Sequence, residues 1–257
     1  MTAATHLRHA YEHWETCLAV FSLRHLQAYD AGYIYACSIS GVELPHPPYS
    51  TAQRNIWLVE QLEMTKEQHS RLNAFSWLNF VPLAYLHSRT EQDAIDLFFE
   101  LIERAHRECP HIEVPASTMS PAHEHESRKF ESPMTLDELL ERVCARPAMF
   151  LGNEARLTHL WSMLRGYLHA HRDHGVQSLD EERLQRFQNW MNQRYPYGKS
   201  TTWAHTLDAL SMQVSQRSFD SFTMHWKMHR QEEAATTQDP AVRTMIEHII
   251  NSHSPEK

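Results

Sequence analysis

The chain has 257 residues, of which 42% are hydrophobic and 22% charged, a composition typical of a globular protein with one domain or two. Its formal net charge of −8 argues against nucleic acid as a partner, because phosphate binding needs clustered Lys and Arg side chains. Residues 1–133 hold 10 basic and 17 acidic residues, and residues 134–257 hold 14 and 15, so the first half carries nearly all the excess negative charge.

The N-terminal sequence MTAATHLRHAYEHWE lacks the apolar core of a signal peptide, and no apolar run in the chain is long enough to span a bilayer. We therefore expect a cytoplasmic protein with no membrane partner. The cysteines are scattered without a Cys-x-x-Cys pair, which favours reduced thiols over a disulfide framework or a zinc ribbon. They are Cys17, Cys37, Cys109 and Cys144.

Apolar residues recur at spacings of three and four along most of the chain, while the alternation typical of strands is scarce. This pattern predicts an all-α fold. The predicted helices span residues 4–37, 50–64, 67–87, 90–108, 135–145, 154–174, 180–195, 200–214, 216–234 and 239–252.

Residues 109–133 carry four prolines and few large apolar residues, which is typical of an extended linker. The linker divides the chain into a first helical unit at 1–108 and a second at 134–257. The units share five anchors at offsets of 138, 134, 133, 126 and 124 residues, a steady decrease that an internal duplication followed by deletions would leave. The shared periodicity of amphipathic helices is the alternative explanation. The anchors pair LQAY at 26–29 with LRGY at 164–167, Gly41-Val42 with Gly175-Val176, Trp57 with Trp190, Trp77 with Trp203, and Phe98 with Phe222.

A break is predicted inside LLERVCARPAMFLG, residues 139–152, because Pro147 cannot continue a helix and biases Arg146 away from helical angles. The chain should turn here and start a new helix near Asn153. We expect Met149, Phe150 and Leu151 to pack into the core of the second unit.

Four carboxylates fall within about 80° of one another on the helix at 90–108, on the side away from its Ile and Phe residues. The corresponding helix of the second unit, SFDSFTMHWKMHR, lacks this pattern. Either the carboxylates form an ordinary solvated face or they bind a basic partner. We name Asp93, Asp96, Glu100 and Glu103 the carboxylate stripe.

The loop at 194–203 is a second candidate interface. Tyr195 and Tyr197 stand beside Pro196 and Gly198, and rigid aromatic side chains of this kind often carry binding energy. Packing of the turn against its own core is the alternative.

The 20 histidines raise the question of a metal site. His225 and His229 share a helix face and are the weak candidates, but a zincin helix has Glu directly after its first His, and Trp226 stands there. We interpret both as solvated or hydrogen-bonded helix residues and expect no metal. A nucleophile elbow, a phosphate loop and a dinucleotide fingerprint are also missing, so we expect no cofactor and assign no catalytic residue.

Four sequence features follow one another in the second half of the chain: LDELLERV-ARP-MFLG, LRGY at 164–167, FQNWMNQRY and Trp203. In these features the chain resembles uncharacterised bacterial proteins that carry an RPxM(Y/F)(L/I)G turn. Those proteins look like immunity or accessory proteins encoded near polymorphic toxins. The resemblance covers residues 136–226, about a third of the chain, and brings no catalytic residue with it. It implies a protein that binds a toxin and covers its active site.

The sequence therefore predicts a cytoplasmic immunity protein whose partner is a toxin with a basic surface. The alternative is a helical metal- or nucleotide-processing hydrolase that uses some of the histidines.

Overall fold

The computed structural model describes residues 5–42, 57, 81, 84–85, 87–108, 135–152, 155–176, 178–195, 201–214 and 217–238. Within these residues there are ten helices and no strand, which confirms the all-α prediction. The helices are α1 Thr5–Glu12, α2 Trp14–Cys17, α3 Leu23–Ile39, α4 Glu91–Glu108, α5 Leu136–Ala145, α6 Pro147–Leu151, α7 Leu157–Asp173, α8 Asp180–Arg194, α9 Trp203–Val214 and α10 Ser218–Gln238.

Helices α3 and α7 form the centre of the molecule and run parallel, since contacts from successive turns of α3 reach successive turns of α7. His25 lies against His159, with ring centroids 4.4 Å apart, and further along both helices Tyr33 donates to Asp173. The helices approach closely because glycines stand at their crossing. A Cβ atom on Gly32 would overlap the carbonyl oxygen of Met163, and one on Gly166 would overlap that of Tyr29.

The two central helices end in the same way. Both have 17 residues, and the second begins 134 residues after the first. Gly41 and Gly175 both follow with positive φ, at 67° and 64°, and the next residue of each donates its N–H back to the helix. In this register LRGY at 164–167 aligns with DAGY at 30–33, one turn later than its predicted match, LQAY.

Two hydrophobic clusters lie on either side of this pair. One is built from α1, α3 and α4 together with Trp57, and the other from α5 and α7–α10. Four buried residues of α3 belong to the second cluster, so α3 contributes to both. They are Ala28, Tyr33, Ala36 and Cys37.

The helix predicted at 4–37 is wrong as a single element, because the structure divides it into α1, α2 and α3. The chain is extended at Leu18, and contacts with α7 hold this break together with a local cap, in which Ser22 accepts from the backbone N–H of His25 at the start of α3. Ser162 accepts a hydrogen bond from the backbone N–H of Ala19 at 3.1 Å, and Arg165 donates to the Thr16 carbonyl at 3.0 Å.

The predicted break at Pro147 is confirmed, but the segment after it is the short helix α6, with Pro147 at its first turn. Phe150 and Leu151 pack against the second cluster as expected. Met149 does not, since 66% of its surface is exposed. A five-residue helix turns one side chain of this apolar run outward.

The predicted helix at 50–64 lies outside the described residues except for Trp57, and the one at 67–87 except for Val81, Ala84, Tyr85 and His87. The helix at 239–252, the linker at 109–133, Trp77 and Tyr197 lie wholly outside them. The internal duplication and the two-unit division stay predictions. No helix in the described part of the chain is long and apolar enough to cross a membrane.

Candidate functional site

Helix α4 places the carboxylate stripe at the surface. Its start is fixed by a reciprocal cap, in which Thr90 accepts from the backbone N–H of Asp93 at 3.1 Å and Asp93 accepts from that of Thr90 at 3.2 Å. Ala94, Ile95, Phe98, Leu101 and Ile102 are buried in the first cluster. Because these residues face inward, all four carboxylates of the stripe are exposed.

The four carboxylates differ in what they already bind. Glu103 forms an ion pair with Arg8 of α1, and Glu100 lies 3.9 Å from Arg104 on its own helix. Asp93 is engaged in the helix cap. Asp96 accepts a hydrogen bond only from the neutral amide of Gln92, at 2.9 Å, among the residues that the structure describes. Its negative charge is therefore the least compensated of the four.

A row of aromatic side chains continues from the stripe. Gln92, which holds Asp96, also donates to the Tyr11 hydroxyl at 3.0 Å. The Tyr11 ring contacts Phe21, with centroids 5.9 Å apart, and Phe21 contacts Trp14 edge-on at 5.3 Å. Trp14 is 38% exposed and Tyr11 and Phe21 are half-buried. We name Tyr11, Phe21 and Trp14 the aromatic row, which sequence reasoning missed.

Tyr195 lies half-buried against the second cluster, where its hydroxyl bonds His225 Nε2 at 2.8 Å. His225 Nδ1 donates to the Ser221 carbonyl at 2.7 Å, which leaves Nε2 to the tyrosine hydroxyl. This packing leaves less of the Tyr195 ring to a partner than the loop sequence suggested.

His225 and His229 were interpreted as solvated or hydrogen-bonded helix residues. Both are buried, so neither is solvated, and His225 is hydrogen-bonded. His229 lies among the rings of Phe187, Trp190 and Trp226, and burial lowers its pKa. Glu232, which shares their helix face, bonds Trp190 and Arg194 instead. Among the described residues, no group of three His, Cys, Asp or Glu side chains could hold a metal ion.

A different set of histidines meets where α1, α3 and α7 pack together. His169 stands at its centre: the Tyr29 hydroxyl donates to Nδ1, and Nε2 donates to Asp173 at 3.2 Å. Asp173 also accepts from the Tyr33 hydroxyl at 2.9 Å.

The histidines of α1 complete this group. His6 pairs with Asp30 at 2.6 Å and stacks on Tyr33, while His9 lies between His13 and His169. We name this group of residues the polar junction.

The polar junction joins three helices rather than exposing a reactive group. Tyr29 is fully buried, so a substrate has no access to the hydroxyl that His169 accepts from. Burial raises the pKa of Tyr29 and lowers that of His169 to about 4, which keeps both groups neutral at pH 7. A buried hydrogen-bond network that joins three helices stabilises one arrangement of those helices.

The polar junction has no signature in the sequence, because its α7 residues lie about 140 residues from those of α3 and because α1, which carries His6 and His9, was predicted as continuous with α3. The two hydrogen-bonded pairs between α3 and α7, Tyr29 with His169 and Tyr33 with Asp173, each span 140 residues and leave no local pattern in the sequence. No family model matches the chain, and neither does any curated protein or solved structure.

Proposed function

We propose that this protein works by binding a toxin as an immunity protein, through a surface made of the carboxylate stripe and the aromatic row. The observation that carries the proposal is the contact chain from Asp96 through Gln92 and Tyr11 to Phe21 and Trp14. It joins exposed negative charge to partly exposed aromatic rings on one continuous surface.

The two parts of this surface have separate roles in binding. Exposed carboxylates accelerate the encounter with a basic protein because they attract it over a Debye length of about 8 Å at physiological ionic strength. Aromatic side chains supply the contact area that slows dissociation, and Trp and Tyr are enriched among residues that dominate interface energies. The acidic first half of the chain, with 17 acidic and 10 basic residues, suits a basic partner.

The test of this proposal uses the protein encoded by the gene next to the one that encodes this chain. That product should arrest growth when expressed alone, and co-expression of this chain should restore growth. An adjoining product that is harmless, or that the purified chain does not bind, would refute the immunity proposal.

Association kinetics then locate the surface. Asp96→Lys should slow association with that product about tenfold at low salt and much less at high salt. Trp14→Ala should instead raise the dissociation rate with little salt dependence. Glu182→Lys, an exposed carboxylate on α8, is the matched charge control and should leave both rates unchanged.

A further inference from the structure

A groove of about 620 Å³ runs between α5 and α10, away from α4. Its floor is apolar and is formed by Leu140 and Cys144 of α5 and by Phe222 and Trp226 of α10. Burial raises the pKa of the Cys144 thiol to about 11, so this side chain is an apolar lining group and not a thiolate.

The walls of the groove carry opposite charges. Asp137 and Glu141 stand on α5, and Lys227 and Arg230 on α10. Two of these four charged side chains already have partners within the protein. Asp137 accepts hydrogen bonds from Arg183 at 2.5 Å and from Trp226 at 3.0 Å, and Arg230 forms an ion pair with Glu233 at 2.9 Å. Burial opposes the charge of Asp137, but these hydrogen bonds hold its pKa below the usual value.

Glu141 and Lys227 are the two charges that remain. Both are exposed, and neither forms an ion pair with any residue in the described part of the chain. One faces the groove from each wall, so the groove offers an apolar floor between an unpaired anion and an unpaired cation.

The length of the groove matches two turns of an α-helix. Its lining residues run from 137 to 145 on α5 and from 222 to 231 on α10, which at about 1.5 Å per residue is about 12–14 Å. Apolar side chains at i, i+4 and i+7 of a helix span about 10 Å and would fill this length.

We propose that the groove binds an amphipathic helix of a partner protein, with a basic residue beside Glu141 and an acidic residue beside Lys227. Charge complementarity selects this occupant, because a simple amphiphile with one charge would leave one wall unpaired and a helix can carry both charges on its two flanks. The inference goes beyond the proposed function, since the groove lies on other helices than the carboxylate stripe and needs no toxin.

The test uses three labelled helical peptides of about four turns, each with leucines at i, i+4 and i+7. The first has Lys on one flank and Glu on the other, the second has Lys on both flanks, and the third has Glu on both. Fluorescence anisotropy with the full chain should show the mixed peptide binding about fivefold more tightly than the other two, because either of those places like charges together on one wall.

Two exposed substitutions make the test independent of folding defects. In Lys227→Glu both walls are acidic, and the peptide with Lys on both flanks should become the tightest binder. In Glu141→Lys the preference should pass to the peptide with Glu on both flanks. Asp96→Lys on α4 is the control and should leave all three affinities unchanged, which also separates this inference from the toxin-binding surface.

Three results would overturn the inference: no peptide saturates the protein, the three bind equally, or the preference does not follow the substitutions. Binding of dodecanoate in place of every peptide would also overturn it, because the groove would then be a site for a small amphiphile.

Discussion

Gly32 and Gly166 allow α3 and α7 to approach closely, so a single added methyl group at either position would disturb their packing. In Gly166→Ala the new Cβ would overlap the backbone carbonyl oxygen of Tyr29, which cannot move aside as a side chain would. We expect the free energy of unfolding to fall by about 3 kcal/mol, at the upper end of overpacking effects, in urea denaturation.

The control is Gly175→Ala, where a Cβ has open space but φ is positive. This variant should lower the free energy of unfolding by about 1 kcal/mol, because only the backbone is strained. Equal losses in the two variants would mean that α3 and α7 are not held at this distance by Gly166.

His25 makes stability depend on pH. It is buried, and burial, assisted by His159, lowers its pKa from 6.5 to about 3. Between these values the unfolded chain binds the proton and the folded chain does not, so the free energy of unfolding is undiminished above pH 6.5 and falls as the pH is lowered towards 3.

His25→Gln should therefore flatten the dependence of the free energy of unfolding on pH between 6.5 and 4, measured by urea denaturation at several pH values. His13→Gln, which removes an exposed histidine, is the control and should leave the slope as in the unmodified chain. An unchanged slope in His25→Gln would show that this side chain is protonated in the folded state.

Among the helices, local caps account for some of the starts that the sequence predicts, although α8 begins at the predicted residue without a side-chain cap. Helices α4 and α5 begin within one residue of the prediction because each starts with a reciprocal cap, Thr90 with Asp93 and Thr135 with Glu138. The division between α1, α2 and α3 was missed in part because Ser162 and Arg165, about 145 residues away, hold the chain between α2 and α3, and in part because the local cap of α3 by Ser22 was not recognised. Periodicity along the chain carries no information about such contacts.

The candidate site also has one part that follows from local sequence and one that depends on contacts between distant residues. The exposure of the carboxylate stripe follows from the helical period of α4, and the structure agrees with it. The aromatic row depends on α1 packing against α4, which places Tyr11 beside Gln92. That contact joins residues 81 positions apart and leaves no local trace in the sequence.

The cap of α5 gives a prediction at the level of one helix. Thr135 accepts from the backbone N–H of Glu138, whose carboxylate accepts from that of Thr135 at 2.8 Å. Thr135→Ala removes the hydroxyl and should lower the free energy of unfolding by about 1 kcal/mol. Thr135→Ser keeps the hydroxyl and should lose little; an equal loss in both would assign the effect to the methyl group and not to the cap.

Across the whole molecule, α3 and α7 are related as two copies of one helix would be in a symmetric pair. Gly32 packs on the carbonyl of Met163, and Gly166 packs on that of Tyr29, three residues before Gly32. The internal duplication stays a prediction, and the reciprocal packing of the two glycines offers a test of it in one unit alone.

A chain of residues 134–257 should form a symmetric dimer, in which Gly166 packs on the partner's Met163 as Gly32 does in the intact protein. The dimer buries the face of α7 that α3 otherwise covers, and a Gly at the crossing lets the two backbones approach. Sedimentation velocity should show a dimer, and Gly166→Leu should shift it to a monomer that circular dichroism still shows to be helical. A folded, monomeric 134–257 chain would contradict the symmetric relation, because α7 would then be stable without a second helix against its glycine face.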